Sequence, residues 1–339
     1  MDKLLQFTKT GIYCPQGKFY IDPWQPVDYA VITHGHSDHA RYGSKHYLCH
    51  TYTRPVLEYR LGTDNDFETM HYGETRYING VQVSLHPAGH IVGSAQVRLE
   101  YKGCVAVVSG DYKTENDGIS GVFEPLKCHA FVTESTFGLP IYNWLSQEEI
   151  FNKIKQWILF NQQYNKTSIF VAYSLGKAQR IMKGLEGVAD IFVHSAVAKM
   201  NKAIERAGIE LPPYKILHEV EDRQQMQNQV VIVTSALLGT NVIKRIPNGA
   251  TAICSGWMQV RGSRRWQAVD AGFAVSDHAD WGGLLQSVKA TEAETVYVTH
   301  GFQSTFAKYL NEQGIQAYEV ATQYGNEEVD ETVNKTEDN

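Results

Sequence analysis

The sequence predicts an α/β fold. Short β-branched or apolar runs end abruptly in polar clusters along the whole chain, and helical stretches lie between several of them. Apolar runs of about four to six residues bounded by turn signals read as strands buried on both faces. Their alternation with helices is the pattern of α/β architecture. Size adds a third observation: 339 residues, 43% of them hydrophobic, leave room for two buried cores.

The strands follow in order. DYAVIT (28–33) precedes HGHSDH, VQVSL (81–85) precedes HPAGH, CVAVV (104–108) precedes SGD and AFVT (130–133) precedes EST. SIFVA (168–172) then leads into YSLGK, DIFV (190–193) into His194 and Ser195, VVIV (230–233) into TSA and TAIC (251–254) into SGW. FAV (273–275) before SDHAD and TVYV (295–298) before THG complete the set. Helices are expected over 146–160 and 176–187. Ser146 with Glu149 forms the capping-box pattern that opens the first of them. Polar residues at the carboxyl ends of buried strands are where α/β folds place their sites.

Composition narrows the classes. No apolar run reaches the ~18 residues of a membrane span. The N-terminus MDKLLQFTKTGIYC lacks an apolar signal region. Cys14, Cys49, Cys104, Cys128 and Cys254 are scattered and odd in number, which excludes a disulfide framework and a thiolate zinc site. A cytoplasmic protein is expected. The net charge of −6, from 31 Lys+Arg against 37 Asp+Glu, argues on its face against a basic nucleic-acid binder. Its distribution reverses that argument. Residues 326–339 carry six acids and one base, and their near lack of apolar side chains predicts a disordered acidic tail. Residues 224–269 hold no acid and five bases: Lys244, Arg245, Arg261, Arg264 and Arg265.

The strongest chemical signal is His34-Gly35-His36-Ser37-Asp38-His39, four potential ligands in six positions straight after a strand. Imidazole and carboxylate suit zinc and also manganese. On an extended loop His34 and His36 can project to one side while Asp38 and His39 turn to a second ion. Clustering so many polar groups without a metal would cost several kcal/mol. His90, Asp111 and His300 also stand at strand ends and bring the set to seven. His46 and His86 fall outside it and read as structural.

This ligand pattern resembles the metallo-β-lactamase superfamily. The resemblance implies an αββα sandwich with two divalent metal ions between its sheets. His34, His36 and His90 would hold the first, Asp38, His39 and His300 the second, with Asp111 bridging. Such a pair can share a hydroxide and clamp a phosphodiester for in-line attack. FVTESTFG (131–138) and SDHAD (276–280) resemble the acidic and histidine motifs of the β-CASP group, whose members act on nucleic acids. By that match Glu134 and His278 form a pair in which His278 protonates the leaving oxygen and Glu134 orients it.

The same resemblance divides the chain into a discontinuous metallo-β-lactamase domain (1–141 and 268–325), an inserted β-CASP domain (142–267) and the tail. Ser174, Lys177 and Arg180 lie where a strand enters a helix, a place suited to cradling phosphate. Ser255, Gly256, Trp257 and Arg261 lie at another junction that matches the group. There Gly256 allows close backbone approach, Trp257 offers a stacking face, and Arg261 (with Arg264 and Arg265) offers phosphate forks.

Six segments together resemble the bacterial ligase-associated DNA exonuclease family: residues 11–43, 84–97, 107–113, 133–142, 173–180 and 275–281. That family is associated with an ATP-dependent DNA ligase and a helicase in DNA repair. The expected activity is therefore DNA exonuclease. The second reading is an RNA-processing nuclease of the 3′-end cleavage type, which His300 at the last motif allows. A small-ester hydrolase and a non-catalytic scaffold are the remaining alternatives. The insertion with Glu134 and His278 argues against the first of these, and the intact ligands argue against the second.

Overall fold

The computed structural model describes residues 4–260 and 269–322, in which nineteen strands pair into three sheets. By its contacts the chain divides into two units, residues 4–143 with 277–322, and residues 144–260 with 269–276. The acidic tail and Arg261, Arg264 and Arg265 lie outside the described residues.

The first unit contains two sheets. One runs Gln6–Phe7, Ile12–Cys14, Phe19–Ile21, Tyr29–Val31, His46–His50, Asp66–Met70, antiparallel over its first three strands and parallel thereafter. The other runs Ala317–Glu319, Thr295–Thr299, Ala130–Glu134, Cys104–Val108, Ala95–Tyr101, Val81–Pro87, Thr75–Ile78, parallel over its first four strands and antiparallel thereafter.

Side-chain alternation sets the layers, because successive residues of a strand face opposite sides. Val132, Ala106 and Val108 join Ile21, Val31 and Leu48 in one cluster, so the two sheets face each other. Phe131, Val107, Val296 and Val298 point the other way, onto Leu284 and Val288 of the helix Trp281–Thr291 and Phe306 and Leu310 of the helix Gln303–Glu312. On the far side of the first sheet, Ala30, Ile32, Tyr47 and Cys49 meet Leu57 of the helix Arg54–Leu61. The unit is therefore layered helix, sheet, sheet, helix.

The second unit is built on one all-parallel sheet, in the order Lys215–Ile216, Ile191–Val193, Val230–Val233, Thr167–Val171, Gly249–Cys254, Ala271–Phe273. Phe170, Ile232 and Ala252 on one face pack against Ile154 and Ile158, Ile181 and Met182, and Val197, from three helices. Ile169, Val171, Val231 and Val233 on the other meet Leu217, Met226, Ile246 and Met258. The expected capping box is present: Glu149 N–H donates to Ser146 Oγ and Ser146 N–H to the Glu149 carboxylate, opening the helix Gln147–Gln163.

The sequence places the return to the first unit at 268. The strand Ala271–Phe273 instead pairs with Ala252–Cys254, and the first unit resumes at Asp277. Among the described residues no helix is long and apolar enough to cross a membrane.

Candidate metal centre

The ends of five strands converge in the first unit. The loop His34–His39 follows Tyr29–Val31, His90 follows Val81–Pro87, Asp111 follows Cys104–Val108, Glu134 ends Ala130–Glu134, and His300 follows Thr295–Thr299. Tight backbone approach sets two of these positions. Gly110 takes φ +58°, and a Cβ there would stand 2.6 Å from Thr33 Oγ1, so only glycine lets Asp111 turn in beside Thr33. His300 itself takes φ +52°.

Asp111 is the hub. Its Oδ2 lies 3.7 Å from His34 Nε2, 3.4 Å from His39 Nε2 and 3.9 Å from His90 Nε2. Its Oδ1 lies 3.9 Å from His300 Nδ1. His90 Nε2 and His36 Nδ1 are 3.1 Å apart, and His39 Nε2 is 3.8 Å from Asp38 Oδ2. One ligand atom from each of His34, His36, His90 and Asp111 falls within 4.8 Å of the others, and so does one from each of Asp38, His39 and His300. The structure thus brings all seven sequence-predicted ligands together. Six of them are buried and His300 is nearly so.

A layer of hydrogen bonds behind these groups sets their tautomers, and sequence reasoning missed it. The Thr33 N–H (2.7 Å) and hydroxyl (2.5 Å) both donate to the buried Asp22 carboxylate. His39 Nδ1 lies 2.7 Å from the same carboxylate. Because the Thr33 hydroxyl gives its proton to Asp22, its 3.0 Å contact with His34 makes His34 Nδ1 the donor. His90 Nδ1 donates to the Asp277 carbonyl at 2.8 Å. In their neutral forms His34, His39 and His90 thereby each turn an Nε2 lone pair toward Asp111.

This arrangement fits a cation. His34 Nε2 and Asp111 Oδ1 are buried and have no hydrogen-bond partner among the described residues. A divalent ion satisfies such converging lone pairs. The electrostatics favour a neutral ring at His34 and His90, and a protonated one at His39 whose proton a bound cation would displace. Burial, with the neighbouring His39 and His90 rings, pushes His34 well below the usual imidazole range, and burial beside His278 takes His90 down to about 3. Burial presses on His39 too, but the carboxylates of Asp111, Asp38 and Asp22 lift it well above that range. Burial alone would raise Asp111, yet His39 and His300 hold its carboxyl well below the usual carboxylate value.

Glu134 and His278 stand beside this cluster. His278 Nδ1 is 2.8 Å from Glu134 Oε2 and 3.0 Å from Oε1, and Glu134 Oε1 accepts the Tyr112 N–H at 2.8 Å. Burial lifts the Glu134 carboxyl above its ordinary value, against the pull of His278 and with the push of Asp111. The Ala279 N–H donates to the Tyr112 carbonyl at 2.7 Å, fastening the histidine loop to the segment that carries Asp111.

The remaining candidates belong to the second unit. Ser174 lies in the turn before the helix Lys177–Gly184, where its carbonyl accepts from Gln179 Nε2 at 3.0 Å. Lys177 is buried with its ammonium 5.9 Å from the Tyr173 ring centroid, and buried Arg180 donates to Gln147 Oε1 at 3.4 Å. Ser255 accepts the Trp257 N–H at 3.4 Å and caps the turn Gly256–Gln259, while half-buried Trp257 packs on the cluster around Ile169. Arg261 lies outside the described residues. His194 caps the helix Ser195–Arg206 through Ala196 N–H.

No family model matches the chain. It is 30% identical over 313 residues to a protein of Opitutus terrae named Probable DNA ligase, a match that covers 91% of this chain and 30% of that protein. It is 27% identical over 171 residues to Endoribonuclease YSH1 of Saccharomyces cerevisiae, covering 46% of this chain and 22% of the relative. Against cleavage and polyadenylation specificity factor 73 of Drosophila melanogaster it is 26% identical over 133 residues, 39% of this chain and 19% of that one. The chain therefore spans less than a third of these relatives. A crystal structure from Enterococcus faecalis V583, described as a protein of unknown function, matches with a TM-score of 0.58 at 12% identity, covering 88% of this chain and 80% of that one, which is a likeness of fold. The curated relatives fit the superfamily that the motifs resemble.

Proposed function

We propose that this chain is a metal-dependent nuclease of the β-CASP group that hydrolyses phosphodiester bonds in DNA, as an exonuclease serving repair beside a DNA ligase. The observation that carries the reading is the Asp111-centred ligand cluster with the Glu134–His278 pair against it. The cluster would hold two divalent ions, zinc or manganese: His34, His36 and His90 on one, Asp38, His39 and His300 on the other, and Asp111 between. Bound there, such ions supply Lewis-acid polarisation and lower the pKa of water.

The chain's own groups do the rest. Asp22, Thr33 and the Asp277 carbonyl hold three imidazoles in the tautomer that offers Nε2. Glu134 fixes His278 through Nδ1, which leaves Nε2 as the atom from which a proton passes to the departing oxygen. The second unit serves as the β-CASP domain in this reading, with Ser174, Lys177, Arg180, Ser255, Gly256, Trp257 and Arg261 as its substrate contacts.

The preference for DNA rests on the relative named Probable DNA ligase, which matches over 91% of this chain. The relatives named Endoribonuclease YSH1 favour a second reading, an RNA-processing nuclease. End-labelled single- and double-stranded DNA and RNA, incubated with Zn2+ or Mn2+ and resolved by product length, decide between them. Stepwise shortening of DNA supports the proposal. Cleavage of RNA without DNA selects the second reading, and cleavage of neither sinks both.

A further inference from the structure

The last ligand of the centre sits on strained backbone. His300 takes φ +52°, a left-handed conformation uncommon outside glycine, although histidine with asparagine and aspartate adopts it more often than most. Its surroundings come largely from one residue. Ser135 is fully buried, and its Oγ donates to the carbonyl of Thr299 at 3.1 Å and to the carbonyl of His300 itself. The Ser135 carbonyl accepts Phe302 N–H at 2.9 Å. Gly301 lies so close that a Cβ there would stand 2.4 Å from that carbonyl oxygen. The imidazole is steered in turn: Thr299 Oγ1 donates to the Thr133 carbonyl at 3.0 Å and so accepts from His300 Nδ1 at 3.2 Å.

From this geometry we infer that Ser135 is a positioning residue whose hydroxyl locks His300 into its left-handed turn and thereby completes the second metal group. The inference rests on the two-metal reading above. Ser135 directly follows Glu134, so one short segment orients the general acid with one residue and the last ligand with the next. The hydroxyl is not a nucleophile in this arrangement, since its proton is committed to buried carbonyls. Without it, the Thr299 and His300 carbonyls lose the one proton they share, and His300 is released toward ordinary backbone, which carries its ring away from Asp38, His39 and Asp111.

Zinc titration of the full chain against a chromophoric chelator tests this without reference to activity. The unaltered protein is expected to bind two equivalents. Ser135→Ala is expected to keep one at unchanged affinity and to weaken the other by about 10-fold or more, as loss of an outer hydrogen bond to a ligand does. Ser287→Ala removes a comparable buried hydroxyl, bonded to the Gly283 carbonyl, and is expected to leave both equivalents intact. Ser135→Cys, of similar size with a weak donor, should fall between, and it carries the comparison if near-ultraviolet dichroism shows the alanine variant unfolded. Two equivalents at unaltered affinity in whichever of the two variants is folded overturn the inference. Fewer than two in the unaltered protein overturn the two-metal reading itself.

Discussion

His278 is fastened on both sides: its ring to the Glu134 carboxylate, and its neighbour Ala279 to the Tyr112 carbonyl. If it passes a proton and does not bind metal, His278→Ala should keep its metal content and slow cleavage by about 10²-fold or more. Loss of metal in that variant would move His278 among the ligands. Asp22 makes the opposite prediction. Its carboxylate serves His39 directly and His34 through Thr33. Asp22→Asn should weaken metal affinity by ~10–100-fold, read by chelator competition, and unchanged affinity would remove it from the site. His50 makes a prediction about acid stability. Buried and stacked on Tyr72 at 3.6 Å between ring centroids, it is pushed down to about 4 by burial. Its folded value lies below the ordinary imidazole value, so the unfolded chain takes up the proton first as pH falls. Stability from this group is complete above about pH 6.5 and is lost toward pH 4, by about 2–3 kcal/mol. Denaturant midpoints across that window should show a slope that His50→Gln flattens. Residue by residue, the polar groups gathered around Asp111 were legible as candidates, four from the dense spacing of HGHSDH and the others as polar residues at the ends of apolar runs. Asp22 ends FYI in the same way, but a three-residue strand before a proline gives too little pattern to single it out. Asp277 acts on His90 through a backbone carbonyl, which no residue type advertises.

Elements differ in how openly they announce themselves. The helix Gln147–Gln163 was legible over 146–160 from its capping box, and Ser146→Ala should lower stability by about 1 kcal/mol, measured by urea unfolding, with metal content unchanged. The central strands of both units were legible as continuous apolar runs because both of their faces are covered. The antiparallel strands Ile12–Cys14 and Phe19–Ile21 were not, since three residues hold barely one period of alternation. The apolar run FAV placed a strand at 273–275, whereas the strand runs Ala271–Phe273, and nothing in AGF says which sheet it joins. Only its pairing with Ala252–Cys254 assigns it to the second unit.

For the whole molecule, the cluster draws its residues from both sheets of the first unit, beside the apolar layer between them and cross-sheet hydrogen bonds such as Thr53 Oγ1 to the Gly93 carbonyl, so a metal bound there would stabilise the folded unit by mass action. Exhaustive chelation is expected to lower the melting temperature by about 5 °C or more, read by calorimetry and reversed by Zn2+; no change would mean that the cluster holds no ion. One further consequence concerns the order in which the chain is made. The Glu134–His278 contact closes a span of 144 residues, and His300 lies farther along still. At ~5–20 residues per second of synthesis, roughly 7–30 seconds separate the emergence of Glu134 from that of His278. The entire second unit is made in that interval. Until it is finished, the nascent chain carries His34, His36, His90 and Asp111 without His278 or His300. If the proposed activity holds, the centre would be incomplete during synthesis and would be assembled only when the chain has returned to the sheet it left.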